Sequence, residues 1–194
     1  MKPLYLFLLI IVLTGCGPYY YYNYHSTIQP ASSHGNFFES DSLRFQYRLE
    51  DKGIHFQLDN KTANGIRINW DEVSVAFNGR SQKVIYAVQD TFRRGVAPIT
   101  TIPPHSYLDN VLTPADHAIY SRTSTGTSVS VRDVFPAYSI SNATALKPNR
   151  LKGTTLLVYM PIYFGDNFMA QTVEIRIDSV EQRSKPFKME GFLK

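Results

Sequence analysis

The chain has a single cysteine, Cys16, so no disulfide can form within it and its stability must come from packing. It has no apolar run of the roughly 20 residues that a membrane-spanning helix requires, because the longest, Leu4 to Leu13, is ten residues. It lacks apolar residues at i, i+3, i+4 and i+7 sustained over three turns, which argues against packed helices. Charge of one sign is also scarce. Twenty Lys and Arg against 16 Asp and Glu leave a formal +4, scattered along the chain, and this speaks against nucleic acid as a partner. Arg93-Arg94 is the only adjacent basic pair and, with His105, marks a candidate binding loop.

The motifs of common chemistries are missing too. There is no P-loop, G-x-G-x-x-G or G-x-S-x-G, and no His-x-His or HExxH. The five histidines lie at least nine residues apart. His105, Asp109, Asp116 and His117 are the closest approach to a ligand group, and loop polarity explains them equally well. Asp71-Glu72 beside Trp70 suggests a glycosidase pair, but neighbouring residues on a strand point to opposite faces and would not flank one bond. We therefore assign no catalytic residue, metal or small-molecule cofactor.

What is present begins with an address. Met1-Lys2 and the ten apolar residues Leu4 to Leu13, closed by Leu13-Thr14-Gly15-Cys16, resemble the signal peptide and lipobox of bacterial lipoproteins. The resemblance implies cleavage before Cys16, acylation of that cysteine, and a mature chain held on the membrane by its lipid. Gly17, in place of an aspartate, implies the outer membrane, with the domain facing the periplasm. Residues 1–15 are then the signal peptide, 16–42 a lipidated tether and 43–194 the folded domain. The tether segment, residues 17–42, has no Lys or Arg and no clear periodicity. As a random coil, 26 residues would reach roughly 25–30 Å. Its rings Tyr19, Tyr20, Tyr21, Tyr22 and Tyr24 suit lipid headgroups or cell-wall sugars, or simply an aromatic-biased linker.

From residue 43 the pattern has period two. Leu43, Phe45, Tyr47 and Leu49 alternate with polar residues, Asp51-Lys52-Gly53 turns, and Ile54, Phe56 and Leu58 alternate again. Asn60 to Gly65 reads as a second turn. Ile66, Ile68 and Trp70 share one parity and Val73, Val75 and Phe77 the other, so a bulge or kink is expected at Asp71-Glu72, with Trp70 in the core. Asn78-Gly79 is a type I′ hairpin signal, with a return strand over Gln82 to Val88. Thr91 to Pro104 reads as a loop, and Ser106 to Leu112 as extended. Residues 114–153 stay open between edge strands, loops and a small helix. Thr154 to Phe164 is apolar at both parities, as a strand covered on both faces would be, and Gln171 to Val180 alternates cleanly. Lys185 to Leu193 suits an edge strand.

Seven or eight short strands with turns between them predict an all-β, antiparallel immunoglobulin-like β-sandwich. Ile54-His-Phe-Gln-Leu-Asp-Asn-Lys-Thr, Ile66-Arg-Ile-Asn-Trp70-Asp-Glu, Val84-Ile-Tyr and Ile102-Pro-Pro resemble a group of uncharacterised bacterial lipoproteins. The strand, Asn-Lys-Thr turn and strand are similar to the opening of late-embryogenesis-abundant (LEA14-like) sandwich domains. This resemblance covers core and turn positions and implies fold, not mechanism. The expected function is a lipid-anchored, non-enzymatic presenter of a surface for an envelope protein or peptidoglycan. An accessory subunit of an envelope or secretion machine and a cell-wall hydrolase are the alternatives. The contact regions expected are Thr91–Pro104 and Ser121–Ser130.

Overall fold

A computed structural model describes residues 19–29, 36–86, 99–123, 126–139 and 149–185. The fold is all-β, and its main body is one large, curled antiparallel sheet. In chain order the strands are β1 (Tyr20–Gln29), β2 (Phe37–Glu39), β3 (Leu43–Glu50), β4 (Gly53–Asn60), β5 (Ile66–Asn69), β6 (Ser74–Phe77) and β7 (Arg80–Tyr86). They continue with β8 (Ile99–Ile102), β9 (Tyr107–Pro114), β10 (Ala118–Thr123), β11 (Gly126–Val131), β12 (Tyr138–Ser139), β13 (Thr155–Phe164) and β14 (Asn167–Arg183). The described residues thus form fourteen strands where seven or eight were expected.

The sheet runs β12-β1-β14-β13-β6-β7-β9-β4-β3-β2, and β5 and β8 extend it beside the far half of β13. β10 and β11 form a separate hairpin. The curl is carried by β7, whose first half pairs with β6 and whose last three residues pair with β9. The inner surfaces share one core, in which Phe45 stacks on Phe56 at 5.5 Å and Phe56 meets Trp70 at 6.3 Å. Trp70 is buried, and its indole N–H donates to Thr100 Oγ1 at 2.8 Å.

The expected kink has a countable cause. Seven positions separate Ile68 from Val75, whereas only four separate their partners on β13, Ile162 and Val158. Three residues are therefore looped out, and an odd insertion reverses parity, so Ile66, Ile68, Val73 and Val75 are all buried. Asn69 shapes the loop, accepting from the Asp71 N–H (3.2 Å) and donating to Glu72 Oε1 (2.7 Å). The Asn78-Gly79 turn has φ of 46° and 85°, as type I′ geometry needs. Its Asn78 side chain also accepts from Thr155 N–H at 3.1 Å, fastening the hairpin to β13.

Three expectations are corrected. The tether boundary at residue 42 fails, because β1 and β2 lie within it: β1 pairs with β14 from Tyr21 to Gln29, and Tyr22 and Ile28 are buried. Tyrosine is amphipathic, so rings at both parities hide the alternation that a strand would otherwise display. The Thr91–Pro104 loop contains β8, which pairs with β5. Residues 114–153, which the sequence leaves open between edge strands, loops and a small helix, hold β10, β11 and β12, together with Val134 and Phe135, whose N–H groups both donate to Asp51 O and whose side chains are buried. Finally, β13 is fully covered on one face, where Leu156, Val158, Met160 and Ile162 are buried, whereas on the other Pro161 is buried but Leu157 and Tyr159 are exposed. The expected strand over Lys185 to Leu193 lies outside the described residues, apart from Lys185 itself.

Candidate functional site

The two ends of β14 carry the most distinctive surfaces. At its C-terminal end β1 enters the sheet between β12 and β14, with Tyr20 opposite Ser139 and Tyr21 opposite both Tyr138 and Arg183. Strand alternation divides the tyrosines that the sequence groups together. Tyr22 and Tyr24 face inward: Tyr22 is buried, while Tyr24 packs on Phe135 at 5.7 Å and donates its hydroxyl to Pro136 O at 2.7 Å. Burial raises both phenol pKa values above the ordinary tyrosine range. Tyr19 and Tyr21 take the opposite parity. Tyr19 is 50% exposed, and its ring lies 6.4 Å from that of Tyr138, which is 59% exposed. Cys16 lies outside the described residues, four positions before Tyr20.

At the other end, the hairpin between β13 and β14 brings Tyr163 and Phe168 together at 6.0 Å. Beside it Arg67, Asn69, Glu72, Ile99 and Tyr163 line a shallow cleft of about 140 Å³. Both Glu72 oxygens are engaged, one by Asn69 and the other by the Tyr163 hydroxyl. The phenol's bond to that carboxylate raises the Tyr163 pKa. Arg67 donates to Gly165 O at 2.7 Å, and Ile99 and Phe168 are 61% and 63% exposed. Asp71-Glu72 is thus part of a looped-out turn whose glutamate holds the cleft wall.

No family model, curated protein or solved structure matches this chain.

His105 sits in the left-handed region (φ 51°) at the turn before β9, exposed beside a cleft of about 400 Å³ that it lines with Asp59, Asn60, Lys61, Ser106 and Tyr107. The buried Asn60 builds this corner. Its Nδ2 donates to the carbonyls of Asn64 (2.7 Å), Pro103 (2.9 Å) and Ile102 (3.2 Å), and its Oδ1 accepts from the N–H and hydroxyl of Thr62. The Asn-Lys-Thr turn of the sequence is therefore a clamp that joins the end of β4 to the end of β8. His105, Asp109, Asp116 and His117 do not converge: Asp109 bonds His55 Nε2, while Asp116 lies 3.9 Å from His117. His55 Nδ1 lies 2.9 Å from Glu50 and 2.7 Å from Arg48, forming a polar ladder on the outer face of β3, β4 and β9. Among the described residues no His, Cys, Asp and Glu side chains gather in a group suited to a metal ion.

Arg93 and Arg94 lie outside the described residues. Sequence reasoning missed Tyr138, because its proximity to Tyr19 and Tyr21 depends on a strand pairing across more than a hundred residues and no local pattern announces it. It also missed Phe168 and Tyr163 as a surface, since a run apolar at both parities reads equally well as a buried strand.

Proposed function

We propose that this protein is a lipid-anchored, non-enzymatic component of the bacterial envelope. Its acylated Cys16 holds an immunoglobulin-like sandwich domain on the outer membrane, facing the periplasm, and the domain presents a surface to an envelope protein or to peptidoglycan. The observation that carries this reading is Leu13-Thr14-Gly15-Cys16 at the close of the ten-residue apolar run. The surface best suited to a partner is the edge of β8 with the exposed Ile99 and Phe168 nearby. Among the described residues β8 pairs with β5 alone, and the exposed apolar side chains of Ile99 and Phe168 give a partner a surface to cover.

In-cell crosslinking followed by mass spectrometry tests the reading, with Cys16→Ala as the unanchored control. The expected result is a defined set of envelope neighbours that disappears in the control. The same neighbours in both strains would mean that anchoring does not select the partner, and presentation by the lipid would be wrong.

A further inference from the structure

Tyr20 opens β1 only four residues after Cys16, and four fully extended residues span at most ~14 Å. An acylated cysteine sits at the lipid–water boundary, and each polar headgroup layer is roughly 5–8 Å thick. The first strand of the domain therefore starts within or just above the headgroups, with no room for the stand-off that a 26-residue coil would give. The side chains at that end suit the position. Tyr19 and Tyr21 lie on the outward parity of β1, and Tyr138 of β12 stands directly beside Tyr21. A phenol ring has an apolar body and a polar tip, and it favours the headgroup layer over both bulk water and hydrocarbon. β14, at 17 residues, extends about 50 Å at the usual strand rise and carries Phe168 to the opposite end.

We infer that Tyr19, Tyr21 and Tyr138 form a bilayer contact that seats the domain end-on upon the phospholipid headgroups around its own anchor, with the Tyr163–Phe168 end of β13 and β14 directed away from the membrane. The inference rests on the acylation of Cys16 proposed above. It adds an orientation and a specific contact surface, and it assigns partner binding to the membrane-distal end.

The sole native cysteine is the acylated one, so Tyr138→Cys and Phe168→Cys each give the membrane-extracted, acylated protein a single thiol for a fluorophore. Both positions are exposed, and Tyr19→Cys serves as a second probe of the same end. Each labelled protein is reconstituted into phosphatidylethanolamine–phosphatidylglycerol vesicles containing nitroxide-headgroup lipid. The fluorophore at 138, and that at 19, should lose most of its emission, while that at 168 keeps it. Equal emission from both ends in acylated protein, or quenching at 168 alone, overturns the orientation and leaves the anchor standing. The mass of the N-terminal peptide from the same sample reports acylation, and its absence would overturn the anchor and the orientation together.

Discussion

The hairpin of β3 and β4 and the first strand, β1, contribute to the same core by different routes. In the hairpin each strand carries its own instruction: Leu43, Phe45 and Tyr47, then Ile54, Phe56 and Leu58, fall on one parity, and every one is buried. The intervening turn closes at Gly53, where a Cβ would lie 2.2 Å from Leu112 O, so only glycine lets β9 pack alongside. β1 has no such pattern. Of its ten residues only Tyr22 and Ile28 are buried, and the strand is held by pairing with β14 along nearly its whole length. A strand can therefore be specified by the edge that receives it, with little periodicity of its own.

This contrast can be broken in order of expected effect. Deleting residues 19–29 would uncover the β14 edge and leave Tyr47 without Ser26, its hydroxyl partner at 3.0 Å. The expected outcome is loss of the cooperative thermal transition, since a domain of this kind has only ~5–15 kcal/mol to lose. An unchanged melting temperature would restore the tether. Next come point changes on the two regions. Phe56→Ala should cost ~3–5 kcal/mol and Ile28→Ala ~2–4 kcal/mol in denaturant titrations. If Ile28→Ala costs no more than a surface substitution, β1 frays in solution. Asn60→Ala removes the clamp between β4 and β8 and leaves buried carbonyls unpaired, for an expected loss of ~1–3 kcal/mol by the same titration.

A further effect is alkaline. Burial pushes the Tyr47 phenol up to about 12, with the Ser26 bond acting the other way. An unfolded tyrosine ionises near 10 while the folded one stays protonated, so the stabilisation is complete below pH 10 and is lost as pH rises towards 12. Tyr47 alone should account for about 2–3 kcal/mol of that decline. Unfolding curves between pH 9 and 12 check this, and Tyr47→Phe should flatten the slope. An equal slope in the variant would place the titrating group elsewhere.

Local signals were legible where one residue type does one thing. The alternation of β3 and β4, the Asn78-Gly79 turn, the parity slip at Asp71-Glu72 and the burial of Trp70 can each be read from a few neighbouring residues. Legibility ended where a residue suits two environments or where partners are remote. The tyrosines of β1 occur at both parities, and Leu157 and Tyr159 on the outer face of β13 match the apolar residues on its inner face. Neither pattern separates buried from half-exposed. Val134 and Phe135 fill the core from a segment without periodicity, and their place is set by the backbone of Asp51. The two candidate surfaces share this difficulty, since Tyr138 joins Tyr19, and Ile99 approaches Tyr163, only through strand pairing.

The most direct test of the whole account is the mass of the N-terminal peptide from protein extracted from its native membrane. The account requires a peptide that begins at Cys16 and carries acyl chains on both its sulfur and its amino group. A peptide that begins at any other residue, or an unmodified Cys16 within a longer N-terminal peptide, would contradict it.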